Sequence, residues 1–297
     1  MSSCFCGSSQ YSMGLRHQSQ WGPVQIIRCS KCYSFRTAEV PTAAQLERLY
    51  TDDSVYRPPS EAQYQSWCHK FLRIADELRQ SRILPGRMLE VGCNAGYGLE
   101  AFKSSGWDVT GCEQNIVTLN YARVRLRSRI IQTLDQLEVG ERFDLILLSH
   151  VLEHVVEPIS FLRLLAKHLT SDGLVYILVP NYGSLFVRYL FRNTWSGFIP
   201  LQHVWYFDPV SLETLLTLSG FSLLSVKTSG FMPYRGRNVI FTMTKVPLAV
   251  LQRLVPLQGD ELVGIFKGGT ADFARANGTS ESNGMGPQSI LETGREI

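Results

Sequence analysis

The stretch from Met88 to Gly98, MLEVGCNAGYG, constrains this chain more than any other. Met88, Leu89 and Val91 form an apolar strand with one acidic residue, Glu90, inside it. The chain then breaks at Gly92, Gly96 and Gly98 and continues with helical spacing. Glycine reaches backbone angles that a β-carbon forbids, and it lets a ligand approach the main chain. A glycine turn between strand and helix, at the carboxyl edge of a parallel sheet, is where α/β proteins hold nucleotide-like ligands.

Strands and helices alternate around this turn. A helical pattern over Glu61–Arg82 ends at Pro85–Gly86, and strands follow at Arg87–Gly92, Asp108–Cys112, Arg129–Thr133, Phe143–Ser149 and Leu174–Val179. Helices are expected at 97–105, 116–127, 158–169 and 209–219, the third stopped by Asp172–Gly173. Such alternation predicts a mostly parallel sheet with helices on both faces. A strand after Gly220 and another at Val239–Lys245 are expected to pair antiparallel at one edge. The expected organisation is a cysteine module over 1–40, a connection over 41–60, the α/β domain over 61–250 and a flexible tail over 251–297, poor in large apolar residues from about Gln258.

The chain has 297 residues and a net charge of only +3, which argues against a surface built to wrap nucleic acid. It shows no apolar run of about eighteen residues and no secretory leader, so a cytoplasmic protein without a membrane partner is expected. Of the seven cysteines, Cys68, Cys93 and Cys112 stand singly and read as buried thiols of a reducing compartment.

A dinucleotide turn counted from Gly92 as G-x-G-x-x-G needs glycine at 94 and 97. Asn94 and Tyr97 stand there instead. The other ligand that fits a strand–glycine turn–helix unit is S-adenosylmethionine, which has no phosphate to cradle. Its ribose diol wants a carboxylate at the end of the second strand, where Glu113 stands.

The motifs MLEVGCNAG, VTGCEQ, FDLILLSHVLEHVVEP, LVYILVPN, HVWYF and LETLLTLSGF occur in this order. Together they resemble the class I S-adenosylmethionine-dependent methyltransferases, above all the subgroup acting on small molecules, over residues 61–245. The resemblance implies a Rossmann-like seven-stranded sheet with the last strand antiparallel. It implies that Glu90 and Gly92 hold the methionine end, that Gly96 permits close approach, and that Glu113 takes the ribose. Thr133 and Leu134 would lie beside the adenine, with Ser149 and His150 facing the cofactor. Asn94 replaces the family's usual glycine; asparagine tolerates unusual backbone angles, so it stays in the binding turn, and Asn94→Gly is expected to hold or raise cofactor affinity.

Three histidines are candidates for general-base work: His154, His150 and His203. On a helical turn His150, Glu153 and His154 would share a face. That run is similar to the ubiquinone-type O-methyltransferases, where an acidic-x-x-Glu-His run binds a divalent cation. Trp195, Tyr206 and Phe207 are candidates for a substrate wall. At the N-terminus, Cys4-x-Cys6 and Cys29-x-x-Cys32 form two pairs with the look of a zinc ribbon, the first one residue short; four thiolates can close a tetrahedral structural zinc site. Arg16, His17, Arg28, Lys31 and Arg36 would give the module a modest basic face. The main expectation is methyl transfer to a small-molecule acceptor. An RNA methyltransferase gripping its substrate with the zinc module, and a non-catalytic binding protein, are the alternatives.

Overall fold

The computed structural model describes residues 3–19, 22–42, 44–46, 48, 57–190, 195, 197–199, 202–229 and 259–269. Its N-terminal strands are β1 (Tyr11–Ser19), β2 (Gly22–Cys29) and β3 (Phe35–Thr37). Helix α1 (Glu61–Gln80) starts at a capping box, in which the Ser60 hydroxyl accepts from the Gln63 N–H and the Gln63 side chain accepts from the Ser60 N–H. It buries Tyr64, Cys68, Phe71, Ile74, Ala75 and Leu78, one stripe at helical spacing. Then come β4 (Arg87–Val91), α2 (Tyr97–Ser104), β5 (Asp108–Cys112), α3 (Ile116–Leu126), β6 (Arg129–Ile131), β7 (Phe143–Ser149), α4 (Pro158–Ala166) and β8 (Leu169–Pro180). The two-residue β9 (Trp205–Tyr206) precedes α5 (Pro209–Leu218), β10 (Phe221–Ser229) and β11 (Glu261–Gly268). Asn115 caps α3 by accepting from the Val117 and Thr118 N–H groups, and Asp208 caps α5 in a second capping box.

Seven strands form one sheet in the order β10-β11-β8-β7-β4-β5-β6, Rossmann-like, with the last strand antiparallel. β4 pairs in parallel with β5 and β7, setting Glu90 opposite Gly111 on one side and Leu147 on the other. Met88, Leu89 and Leu145 to Leu148 are fully buried, as parallel strands covered on both faces require.

Two expectations change here. The strand that pairs with the edge strand β10 is β11, within a stretch read as flexible tail; the strand expected at Val239–Lys245 lies outside the described residues. β11 buries Leu262, Val263 and Phe266, a short apolar run that the surrounding glycine- and serine-rich composition hides. Likewise Asp172–Gly173 does not stop a helix. α4 ends at Ala166 and both residues lie within β8, where exposed Asp172 pairs with Lys267 at 2.8 Å. No helix among the described residues is long and apolar enough to cross a membrane.

The chain divides into two compact units, one of residues 1–41, 152–160 and 177–266, the other of 42–151, 161–176 and 267–297. In the first, the cysteine module is not isolated. β1, β2 and β3 form an antiparallel sheet that β9 completes, Phe35 opposite Tyr206 and Arg36 opposite Trp205. Val24, Ile26 and Phe35 share a core with Tyr182, Val187, Trp195, Phe198 and Tyr206. Of the expected basic face, His17 and Arg36 are buried. The His17 ring stacks on Phe198 at 4.0 Å, and its Nε2 lies 3.2 Å from the Tyr182 hydroxyl.

Candidate functional site

In the second unit the turn after β4 is built by left-handed residues: Gly92 at φ +70°, Asn94 at +49° and Gly96 at +86°. A β-carbon at Gly92 would press on Val151 Cγ2 at 2.7 Å, and one at Gly98 would run into the Glu90 carboxylate. The first residues of α2 are thus glycine-bearing because a buried acid lies directly beneath them.

That acid is 2% exposed. The Leu99 backbone hydrogen-bonds to it, and its Oε2 has no hydrogen-bond partner. Burial, and then the charge of Glu113, pushes its pKa well above the ordinary 4.5. Glu113, at the end of β5, is buried too. It accepts the Asn94 N–H on Oε2 at 2.8 Å and the Asn115 N–H on Oε1 at 2.7 Å. Burial raises its pKa, and these backbone bonds pull in the opposite direction. The Thr118 side chain and the Gln114 backbone also hydrogen-bond to Glu113. Two acids therefore flank the turn, one of them with a bare buried oxygen, chemistry suited to hydroxyls or a cation.

An acid whose pKa is raised by folding stabilises the fold best at low pH; that advantage fades as pH climbs from its ordinary value toward its folded one. Glu90→Gln is therefore expected to make the ligand-free protein more stable at pH 8 by about 1–2 kcal/mol. The gap should close toward pH 4. Urea melts at the two pH values measure it, and a variant less stable than wild type at pH 8 would refute the reading of Glu90 as a desolvated acid.

Ser149 and His150 follow at the end of β7, both half-buried. Thr133 and Leu134, half-buried, open the short 3₁₀ turn Leu134–Gln136, with Asp135 exposed.

In the first unit, Glu153, His154 and His203 place ligand atoms within 4.8 Å of one another. The expectation that His150 shares a helical face with Glu153 and His154 fails. His150 adopts φ +55° and lies outside the 3₁₀ turn Leu152–His154, so His203 joins the cluster in its place. The Val204 N–H donates to the Glu153 carbonyl and the Trp205 Nε1–H to the Val155 carbonyl, which seats this strand on the turn. His154 Nδ1 lies 2.9 Å from the Gln202 carbonyl and His203 Nδ1 2.7 Å from that of Gly197. A carbonyl can only accept, so both rings donate from Nδ1, and their lone pairs are at Nε2. The rings meet edge to face at 4.8 Å. A base or a metal ligand needs that lone pair.

The rings expected as a substrate wall are core residues: Trp195 and Tyr206 belong to the shared cluster, and Phe207 is equally buried. Trp195 lies edge-on to Phe198 at 4.9 Å, and Tyr206 packs against Tyr182 and Phe198. The Tyr206 hydroxyl, however, is buried without a hydrogen-bond partner.

The four N-terminal cysteines converge. Cys4 and Cys32 sulfurs lie 3.5 Å apart, and those of Cys6 and Cys29 3.6 Å apart. All four lie within 4.8 Å of one another, and none is in a disulfide. A tetrahedral zinc with sulfurs at about 2.3 Å separates them by about 3.8 Å. Gly7 at φ +80° and Tyr33 at +62° turn the chain behind each pair. The Lys31 N–H lies 3.4 Å from Cys29 Sγ. Hydrogen bonding from Cys4 draws the Cys32 thiol down to about 4, while the same bond pushes the Cys4 thiol up and burial pushes Cys6 up.

Strand order, glycine turn and flanking acids together define a class I methyltransferase. A family model described as a methyltransferase domain matches residues 60–226, more than half the chain, and the chain belongs to that family. It is an S-adenosylmethionine-dependent methyltransferase. The ubiquinone biosynthesis O-methyltransferase of Rhodopseudomonas palustris (strain HaA2) is 28% identical over 184 residues, 56% of this chain and 68% of that one. Among solved structures, the plantazolicin methyltransferase BpumL in complex with SAH superposes with a TM-score of 0.52 at 18% identity, over 76% of this chain and 95% of that one. Burkholderia thailandensis 1,6-didemethyltoxoflavin-N1-methyltransferase gives 0.51 at 17%, over 83% and 96%. At those identities the two structures share the fold.

Sequence reasoning named Gly98 in the turn but missed the parts played by Tyr97 and Asn115. Tyr97 was visible only as a failed glycine, and the cap that Asn115 makes on α3 shows only in the structure.

Proposed function

We propose that the chain transfers a methyl group from S-adenosylmethionine to a small, hydroxyl- or amine-bearing acceptor, with the cofactor on the β4–α2 turn. The carrying observation is the bare, buried Oε2 of Glu90 beneath a glycine cradle. An unpartnered buried acid is costly, and the cofactor's ammonium group is the partner that would satisfy it, directly or through water. Gly92, Asn94 and Gly96 would line the methionine end, Glu113 would accept the ribose hydroxyls, Thr133 and Leu134 would border the adenine, and Ser149 would close the site from β7. When bound, the cofactor supplies a methyl group on a sulfonium centre.

On the acceptor side, His154 or His203 would take the acceptor's proton at Nε2, held ready by the Nδ1 bonds to Gln202 and Gly197. Trp195, Tyr206 and Phe207 would support the acceptor's site only from the core. The name of the Rhodopseudomonas relative supports an oxygen acceptor. Cys4, Cys6, Cys29 and Cys32 would hold one structural zinc, which the sulfur spacings fit.

Incubation with methyl-labelled S-adenosylmethionine and a panel of phenols, sugars and amines tests this reading. Label is expected in a small acceptor, and transfer should fall at least about tenfold in His154→Ala or His203→Ala, the loss of a general base. Label appearing only in added RNA would overturn it.

A further inference from the structure

Asn94 is held by its neighbours on every polar atom that the turn uses. Its N–H donates to Glu113 Oε2 at 2.8 Å. Its side-chain Oδ1 accepts the Ala95 N–H at 2.7 Å and the Tyr97 hydroxyl at 2.8 Å. Tyr97 is held in turn. Its ring lies nearly parallel to Trp67 at 5.9 Å and tilted against Tyr64 at 5.4 Å, both on α1. The Tyr64 hydroxyl donates to Glu100 at 2.8 Å and reaches the Gly96 carbonyl at 3.3 Å. Arg125 lies 3.7 Å above the Tyr64 ring and pairs with Glu61 and Glu100. The turn is therefore fastened to α1 through two phenols, Tyr97 packed on Trp67 and Tyr64 reaching the Gly96 carbonyl.

We infer that Tyr97 and Asn94 form a positioning clamp, which sets the Asn94 N–H on Glu113 and so aims that carboxylate before the cofactor arrives. The inference rests on the cofactor reading above. It reverses what composition alone suggests for Asn94→Gly. Glycine at φ +49° removes backbone strain, but it does so equally with and without ligand, so affinity gains nothing from it. What glycine loses is the Oδ1 acceptor, and it adds freedom to the empty turn that binding must then remove. Neither residue need touch the cofactor for this.

The test is the dissociation constant for S-adenosylhomocysteine by titration calorimetry in a double-mutant cycle. Tyr97→Phe keeps the ring and its stacking and removes one donor; it is expected to weaken binding about three- to tenfold, the worth of one hydrogen bond. Asn94→Gly is expected to weaken it by a similar factor. The double variant should be no worse than the weaker single one, because each change breaks the same bond. Asn94→Asp keeps the Oδ1 acceptor, so in that background Tyr97→Phe should again cost affinity. The unliganded melting temperature of Tyr97→Phe should stay within about 1 °C of wild type, below the roughly 2–4 °C shift of a 1 kcal/mol change in a chain of this size class, which separates positioning from general loss of structure. Equal binding by wild type and Tyr97→Phe overturns the clamp alone, as does a double variant whose losses multiply. A wild type that binds no S-adenosylhomocysteine overturns the cofactor reading and the clamp with it.

Discussion

Glu113→Ala is expected to weaken S-adenosylhomocysteine binding at least about a hundredfold, or some 2.7 kcal/mol. Two separate losses add to that figure. The carboxylate is the acceptor of both the Asn94 and Asn115 N–H groups, and a buried donor left without a partner costs about 1–3 kcal/mol. The turn would relax to find water instead, moving away from its binding shape. The ribose hydroxyls would also lose their acceptor. Stability should suffer less than affinity, because removing Glu113 also removes a buried charge that its own surroundings disfavour. Calorimetric titration beside a melting curve separates the two effects. A variant that binds within threefold of wild type would leave Glu113 a structural cap and nothing more.

The second large effect concerns the cysteines. With the proposed zinc bound, Cys29→Ser is expected to release it and to lower the melting temperature by about 10 °C or more. Cys29 is fully buried at the end of β2, and the strands it anchors contribute Val24, Ile26 and Phe35 to a core shared with Trp195, Phe198 and Tyr206. Zinc binding to such thiolate sets is worth about 10–16 kcal/mol in isolated peptides. Here part of that folding energy is already supplied by the shared core, so the variant should lose order in this unit without unfolding the β4–β7 sheet. Metal content by plasma mass spectrometry should be one zinc per chain in wild type and near zero in the variant. A metal-free wild type with an unaltered melt in Cys29→Ser would remove zinc from the account.

What was legible in the sequence follows a physical pattern. β4, the turn and α2 were plain because each signal is local: a buried apolar run, glycines where φ is positive, an apolar stripe at helical spacing. The Cys pairs were legible for the same reason. β11 was not, since its eight residues are identified as a strand only by pairing with chain over thirty residues away. β9 was not, because two residues carry no period, and its pairing with β3 joins positions 35 and 206. The helical face expected of His150, Glu153 and His154 assumed a regular helix, and the left-handed turn at His150 breaks it. His203 joins them from a distant segment, which spacing along the chain does not reveal. Asn94 looked like a weakened glycine until its side-chain bonds were visible.

The central claim is that the turn between β4 and α2 holds the cofactor between two buried acids. A crystal structure of the complex with S-adenosylhomocysteine tests it most directly. The account predicts the ribose diol on the Glu113 carboxylate and the amino-acid end over Gly92–Gly96, with its ammonium satisfying Glu90 directly or through one water. Ligand density elsewhere, with Glu90 Oε2 still bare, would contradict it.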